Sequence, residues 1–169
     1  MQTTYDDEEL AVRERLEALA TRWRQIEIAD RDATRELKDA LGHLGTSLGY
    51  TAHCSGGDFS HHGEWLFDVT WVKLDEERYI TSVPLVAESE WSPGEVEDDF
   101  EKLLLARSDH RLFVFWAPDE VRAKTRLAEL EEFVRRFRPS CVGDRYLFAC
   151  WTDTEEAFLF RQLTVEGVG

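Results

Sequence analysis

The spacing of hydrophobic residues changes along this chain, and the order of the changes limits the folds that it can adopt. Apolar residues recur at helical spacing over residues 6–28 and 32–48. Runs rich in aromatic and β-branched residues then predict strands, after which helices alternate with strands. The predicted strands are residues 50–54, 64–72, 78–91, 111–116, 145–151 and 155–165, and the later helices are residues 93–107 and 118–137.

This order, α-α-β-β-β-α-β-α-β-β, is typical of a mixed sheet with helices on both faces. After Arg111, the predicted strand 111–116 is continuously apolar, as expected for a strand covered on both sides. Pro84 lies inside a predicted strand, which favours an edge position or a bulge. We predict one α/β (mixed α+β) domain over residues 1–169, with a central mixed sheet, flanking helices and an N-terminal helical extension.

The composition narrows the possible partners and the compartment. The net charge of −15 counts against phosphate binding, although arginines after residue 100 could form a basic face or simply a solvated helix surface. No apolar run approaches the roughly 20 residues that cross a bilayer, and the acidic start lacks the form of a signal peptide. We therefore expect no membrane partner and a cytoplasmic location, with nucleic acid as a possible partner. Three widely spaced cysteines predict free, mostly buried thiols.

Three carboxylates on two predicted strands are the strongest functional signal. Asp68 lies within the predicted strand 64–72, where a carboxylate is costly unless it is paired or bound to a metal. Glu88 and Glu90 are two residues apart, so they point to the same side of the next strand. If the two strands pair, the three acids converge and repel one another unless a cation neutralises them. The pattern predicts a Mg²⁺ or Mn²⁺ site; the alternative is a salt-bridged Asp68 beside a solvated strand end.

A second cluster of possible ligands lies around the turn at residues 55–60. His53, Cys54, His61 and His62 are nitrogen and sulfur donors of the kind that zinc binds, but their spacing matches no closed tetrahedral pattern. Ordinary loop histidines are the main alternative, and a histidine contacting a substrate phosphate is another.

Residues 32–116 resemble the core of the PD-(D/E)xK phosphodiesterase superfamily, which has the restriction-endonuclease-like fold. That pattern is a helix with an acid, a strand with Asp, a strand with (D/E)-x-K, then a helix and an apolar strand. Glu36, Asp68 and the run Glu88-Ser89-Glu90 match its first three parts. Residues 98–104 and 111–115 resemble the last two. Glu90 stands where the family has lysine, and Lys102 on the following helix is a candidate substitute, with an exposed helix lysine as the alternative reading.

The resemblance implies a Mg²⁺-dependent phosphodiesterase that acts on nucleic acid. Asp68 and Glu88 would hold one or two ions, Glu90 or Lys102 would orient or deprotonate the attacking water, and Glu36 would assist. The chain would then comprise an N-terminal helix (6–28), a nuclease-like core (32–116) and a C-terminal helix and hairpin (117–169).

Two other functions stay open at this stage. The first is a catalytically inactive interaction module on the same fold, with helix 6–28 as an arm for a protein partner or a homodimer. The second is a small-molecule phosphohydrolase. Acids that converge in a cleft flanked by arginines would favour a nuclease, whereas splayed or salt-bridged acids would favour the interaction module.

Overall fold

The computed structural model describes residues 5–26, 28–56, 59 and 63–167. The helices are α1 (Asp7–Trp23), α2 (Asp30–Ser47), α3 (Val96–Leu104) and α4 (Glu120–Arg136). The strands are β1 (Thr51–Cys54), β2 (Val69–Leu74), β3 (Ile80–Glu90), β4 (His110–Ala117), β5 (Arg145–Thr152) and β6 (Ala157–Thr164). The predicted order of elements is confirmed.

The six strands form one mixed sheet in chain order. β1, β2 and β3 form an antiparallel meander, β3, β4 and β5 are parallel, and β6 returns antiparallel to β5. Helix α3 connects β3 to β4, and α4 connects β4 to β5, as parallel pairing requires. The predicted α/β class with a mixed sheet is confirmed.

Alternating side chains of the central strands build one core on each face of the sheet. Leu112 and Leu147 pack with Leu16 of α1 and Leu41 of α2. Their neighbours along the strands, including Phe113 and Phe148, instead pack under α3 and α4 with Phe100 and Leu130. The face of any residue on β3, β4 or β5 therefore follows from its position in the alternation.

Helix α1 belongs to the first of these cores. Asp6 and Glu9 form a capping box at its start. Val12, Leu16 and Trp23 are buried against α2 and the sheet. This apolar face of α1 is therefore covered within the chain.

Several boundaries differ from those predicted. Helix α2 begins at Asp30 with Ala29 as its N-cap, two residues before the predicted start at residue 32. β2 begins only at Val69, so Asp68 immediately precedes the strand instead of lying in its middle. The aromatic run before it includes Leu66, which is 84% exposed, so strand propensity there is not supported by burial.

Pro84 lies in a central strand, because β3 pairs with both β2 and β4. The edge interpretation is wrong and the bulge interpretation is confirmed. The β2–β3 register shifts between the pairs Trp71–Leu85 and Lys73–Ser82, where β3 contains one extra residue. A bulge tolerates a residue that cannot donate a ladder hydrogen bond.

The cysteines are free, with Cys54 and Cys150 buried and Cys141 exposed, as predicted for mostly buried thiols. Within the described ranges, none of the helices has the length and apolar character needed to span a bilayer.

Candidate functional site

Asp68 and Glu88 are brought together by the antiparallel pairing of β2 with β3. Val69 pairs with Ala87, and continuing this register places Asp68 opposite Glu88. Glu88 is only 4% exposed. These two acids, with Lys38, Glu64 and Lys102, form what we call the carboxylate–lysine cluster.

Asp68 is held by contacts to both of its oxygens. Oδ2 accepts hydrogen bonds from the backbone N–H of Ser89 at 2.9 Å and from its hydroxyl at 2.7 Å. Oδ1 lies 2.9 Å from Nζ of Lys38. Lys38 also donates to Glu64 at 2.8 Å. Burial acts to lower the pKa of Lys38, but the hydrogen bonds to Glu64 and Asp68 outweigh it and raise that pKa, so Lys38 is a firm cation.

Among the residues that the structure describes, Glu88 has no partner as close as those of Asp68. Its nearest cation is Lys102, whose Nζ lies 3.7 Å from Oε1, and the same ammonium group lies 2.5 Å from Asp99. Burial, and then the negative charge of Asp68, raise the pKa of Glu88 to about 8. Ionised Glu88 is therefore a buried negative charge that Lys102 offsets only in part.

Glu90 points to the same face of β3 as Glu88, as predicted, but it has different partners. Its Oε1 accepts a hydrogen bond from the backbone N–H of Ser92 at 2.5 Å. Burial and a hydrogen bond with Asp99 raise the pKa of Glu90, because two carboxyl groups can share a hydrogen bond only if one is protonated. Glu90 is thus engaged with α3 and its preceding turn, beside the Asp68–Glu88 pair.

Glu36 is turned towards α1. Its carboxylate accepts a hydrogen bond from the indole N–H of Trp23 at 2.9 Å and lies 2.9 Å from Arg22. Positions two apart on a helix are separated by roughly 200° around its axis, so Glu36 and Lys38 leave α2 on opposite sides. The residue of α2 that reaches Asp68 is Lys38.

Sequence reasoning missed Lys38 and Ser89 as parts of the site. A signal for Lys38 was present, because Gly42 and Gly45 follow it at helical spacing on the same face. A Cβ atom at Gly45 would lie 2.5 Å from the ring of Trp71, so the helix approaches the sheet closely there. That close approach brings Lys38 within reach of Asp68.

Two carboxylates, Asp68 and Glu88, fit a hard divalent cation. Within the described residues, no group of three or more histidine, cysteine or acidic side chains is arranged to hold a metal ion. Mg²⁺ commonly takes one or two protein carboxylates and completes its shell with water and phosphate oxygens. Asp68 and Glu88 are the carboxylates that could serve in this way, and Glu90, engaged with Ser92, lies outside the pair.

Of the four residues considered as zinc ligands, the structure describes His53 and Cys54, and both are packed against other side chains. The ring of His53 stacks on Trp65 with centroids 3.8 Å apart. Burial raises the pKa of the Cys54 thiol to about 11, which disfavours the thiolate that zinc requires. His61 and His62 lie outside the described residues.

Comparison of the chain with protein-family models, with curated proteins and with solved structures found no match. The cations that contact the carboxylates of the carboxylate–lysine cluster are lysines and not the arginines expected beside a nuclease cleft.

Proposed function

We propose that the protein is a Mg²⁺- or Mn²⁺-dependent phosphodiesterase that acts on nucleic acid, with the carboxylate–lysine cluster as its active site. One observation carries the proposal: buried Glu88 lies beside Asp68, and the charge of the pair is incompletely offset by Lys102. Strongly perturbed acids are common at catalytic sites. The resemblance of residues 32–116 to the PD-(D/E)xK pattern supports the same chemistry.

In this mechanism Asp68 and Glu88 would hold the cation. When bound, the cation would polarise the phosphoryl group and lower the pKa of a coordinated water. Ser89 and Lys38 fix both oxygens of Asp68, so the carboxylate is oriented in advance. Such fixed geometry avoids reorganisation during the reaction.

Lys102 would stabilise negative charge on the phosphate. Its hydrogen bond to Asp99 raises the pKa of Lys102, so the side chain is a cation at neutral pH and a poor base. Glu90 is engaged with Asp99 and Ser92, which leaves Lys102 as the better placed of the two candidates for the family's lysine position. It would act as a charge and a hydrogen-bond donor.

Calorimetric titration with Mg²⁺ and Mn²⁺ tests the proposal directly. The titration is run above the pKa of Glu88, on wild type, Asp68→Asn and Glu88→Gln, with exposed Glu101→Gln on α3 as the matched control. We expect saturable binding in wild type and Glu101→Gln, and its loss in the two site variants. Cation-dependent cleavage of single- and double-stranded substrates should follow the same order.

The second candidate is a catalytically inactive interaction module on the same fold. It is favoured by the partners of Asp68, whose oxygens are already occupied by Lys38 and Ser89 as in a structural network. Wild-type protein that binds neither cation would exclude the phosphodiesterase and leave this candidate.

A further inference from the structure

Three tryptophans lie side by side at the carboxyl ends of the parallel strands. Trp116 of β4 pairs in register with Trp151 of β5. Glu90 pairs with Phe115, so Trp91, the residue after Glu90, lies beside Trp116. All three follow the alternation that faces α1 and α2. In open α/β sheets, ligands bind outside the carboxyl ends of the strands.

A fourth tryptophan, Trp23 of α1, packs against this row. The ring of buried Trp23 lies 5.8 Å from that of Trp91 and 5.4 Å from that of Trp151, at interplanar angles of 71° and 75°. Trp91, Trp116 and Trp151 are each partly exposed. The four rings line a cavity of about 490 Å³ whose wall also includes Asp30 and Asp153. We call these six residues and the cavity the tryptophan pocket.

Hydrogen bonds hold two walls of the tryptophan pocket in place. The indole N–H of Trp23 donates to Glu36, and that of Trp91 donates to the hydroxyl of Thr34 at 2.8 Å. Rings fixed before binding lose little conformational entropy when a ligand enters. Glu36, placed in the catalytic set from sequence, thus supports the tryptophan pocket instead.

The charge of the tryptophan pocket selects the class of ligand. Asp30 and Asp153 are exposed, and neither forms an ion pair within the part of the chain described. Among the same residues, no lysine or arginine lines the cavity. Aromatic ring faces are themselves electron-rich, so the rings and the two acids favour a cation and disfavour phosphates.

We propose that the tryptophan pocket binds a small organic cation carrying a quaternary ammonium group. A quaternary ammonium is weakly hydrated and presents methyl groups to several ring faces at once, which is the contact that aromatic cages provide. A cavity of about 490 Å³ accommodates such a head group with a short attached chain. This site is separate from the proposed cation chemistry at Asp68 and Glu88 and stands without it.

The test is an NMR titration that follows the six tryptophan indole N–H signals. Choline chloride replaces sodium chloride at constant ionic strength, and 3,3-dimethylbutan-1-ol, a neutral molecule of the same shape, is the control ligand. We expect choline to shift the signals of Trp91, Trp116 and Trp151 saturably. The alcohol should bind at least about tenfold more weakly, because it lacks the cation–π term.

Variants assign the binding to the tryptophan pocket. Asp153 is exposed, and Asp153→Asn removes its charge without changing the four tryptophans. This variant should weaken choline binding about threefold. Trp116→Leu should weaken it about tenfold; no aromatic ring contact involves Trp116 among the residues that the structure describes. Trp65→Leu, outside the pocket, is the matched control and should leave binding unchanged.

Three results would overturn the proposal. The first is the absence of a saturable choline shift in folded wild-type protein. The second is equal affinity for choline and the neutral alcohol, which would make the pocket merely apolar. The third is saturation by adenosine but not by choline, which would make it a nucleobase site. None of these outcomes depends on Mg²⁺ binding, so the proposed phosphodiesterase is tested separately.

Discussion

Two clusters of buried charge lie at opposite ends of the parallel strands, and they are balanced differently. At the amino ends, Glu9 receives two hydrogen bonds from the guanidinium of Arg145, and Asp6 lies 2.7 Å from His110. We call these four residues the Arg145 cluster. At the carboxyl end of β3, by contrast, Glu88 has one cation at 3.7 Å that it shares with Asp99.

We interpret the difference as that between a fully paired network and a cluster in which one buried acid, Glu88, is left with only partial charge compensation. Burial acts to raise the pKa of Asp6, but hydrogen bonds from Glu9 and His110 outweigh it and lower that pKa. In the carboxylate–lysine cluster the balance is reversed, because burial and Asp68 raise the pKa of Glu88 to about 8. A buried acid left with a net penalty is destabilising, so a cation that binds it also stabilises the fold.

Removing the central cation of the Arg145 cluster should have the largest effect on stability. Arg145→Met leaves Glu9, which is 1% exposed, without its bidentate partner. Breaking a buried pair on one side costs about 3–5 kcal/mol, and we expect that loss in the free energy of unfolding measured with urea. Arg35→Met, which breaks an exposed pair with Asp32, is the control and should cost less than about 1 kcal/mol. Equal losses in the two variants would refute the contrast.

Glu88→Gln should stabilise the protein at alkaline pH. The pKa of Glu88 rises from an ordinary value of 4.5 to about 8 on folding, so the folded state holds the proton more tightly. The contribution of Glu88 to stability therefore falls as pH rises from about 4.5 to 8. Relative to wild type, the variant should gain roughly 2–4 kcal/mol between pH 5 and pH 9, without added divalent cation. Glu101→Gln should follow the wild-type curve; a Glu88→Gln curve parallel to wild type would show that Glu88 ionises normally.

Asp68→Asn should lower the stability of the protein and also lower the pKa of Glu88. The amide oxygen of the variant can still accept a hydrogen bond from Ser89, but buried Lys38 loses the negative charge that it pairs with. We therefore expect the free energy of unfolding to fall by about 1–2 kcal/mol at neutral pH. Because the charge of Asp68 raises the pKa of Glu88, that pKa should fall in the variant. Carboxyl-carbon NMR titration measures it. An unchanged pKa would mean that burial alone sets the ionisation of Glu88.

The sequence predicted the parts of this comparison that depend on local spacing. Strand alternation placed Glu88 and Glu90 on one face, and Asp68 was expected near them if the two strands paired. The structure shows that pairing, and its register sets Asp68 opposite Glu88. The partners of these acids could not be predicted, because they come from distant elements. Lys38 reaches Asp68 only because α2 packs closely on Trp71. Glu36 instead accepts a hydrogen bond from Trp23, because α1 lies beside α2.

The same limit explains the Glu90 result and the start of β2. Glu90 accepts a hydrogen bond from the backbone N–H of Ser92 in the turn before α3. Strand periodicity predicts the face on which a side chain lies, but it does not predict a contact of this kind. Residues 64–67 have the composition of a strand, but Trp65 and Leu66 are exposed there. Strand propensity mostly reflects burial of side chains, and β2 begins only at Val69, after these exposed residues.

Lys102→Met should have the smallest effect on stability and the most selective effect on function. Its side chain is 51% exposed and contacts Glu88 and Asp99, so the change in unfolding free energy should be below about 1 kcal/mol. Removing the cation should raise the pKa of Glu88 further, since Lys102 acts to lower it.

If Lys102 stabilises charge during phosphodiester cleavage, the cleavage rate of Lys102→Met at saturating Mg²⁺ should fall about 100-fold, while Mg²⁺ still binds above the pKa of Glu88. Lys124→Met, an exposed helix lysine on α4, should leave both rate and binding unchanged. A variant that cleaves at the wild-type rate would assign Lys102 to the same balancing role that Arg145 has at the other end of the sheet, and the two clusters would then differ in degree only.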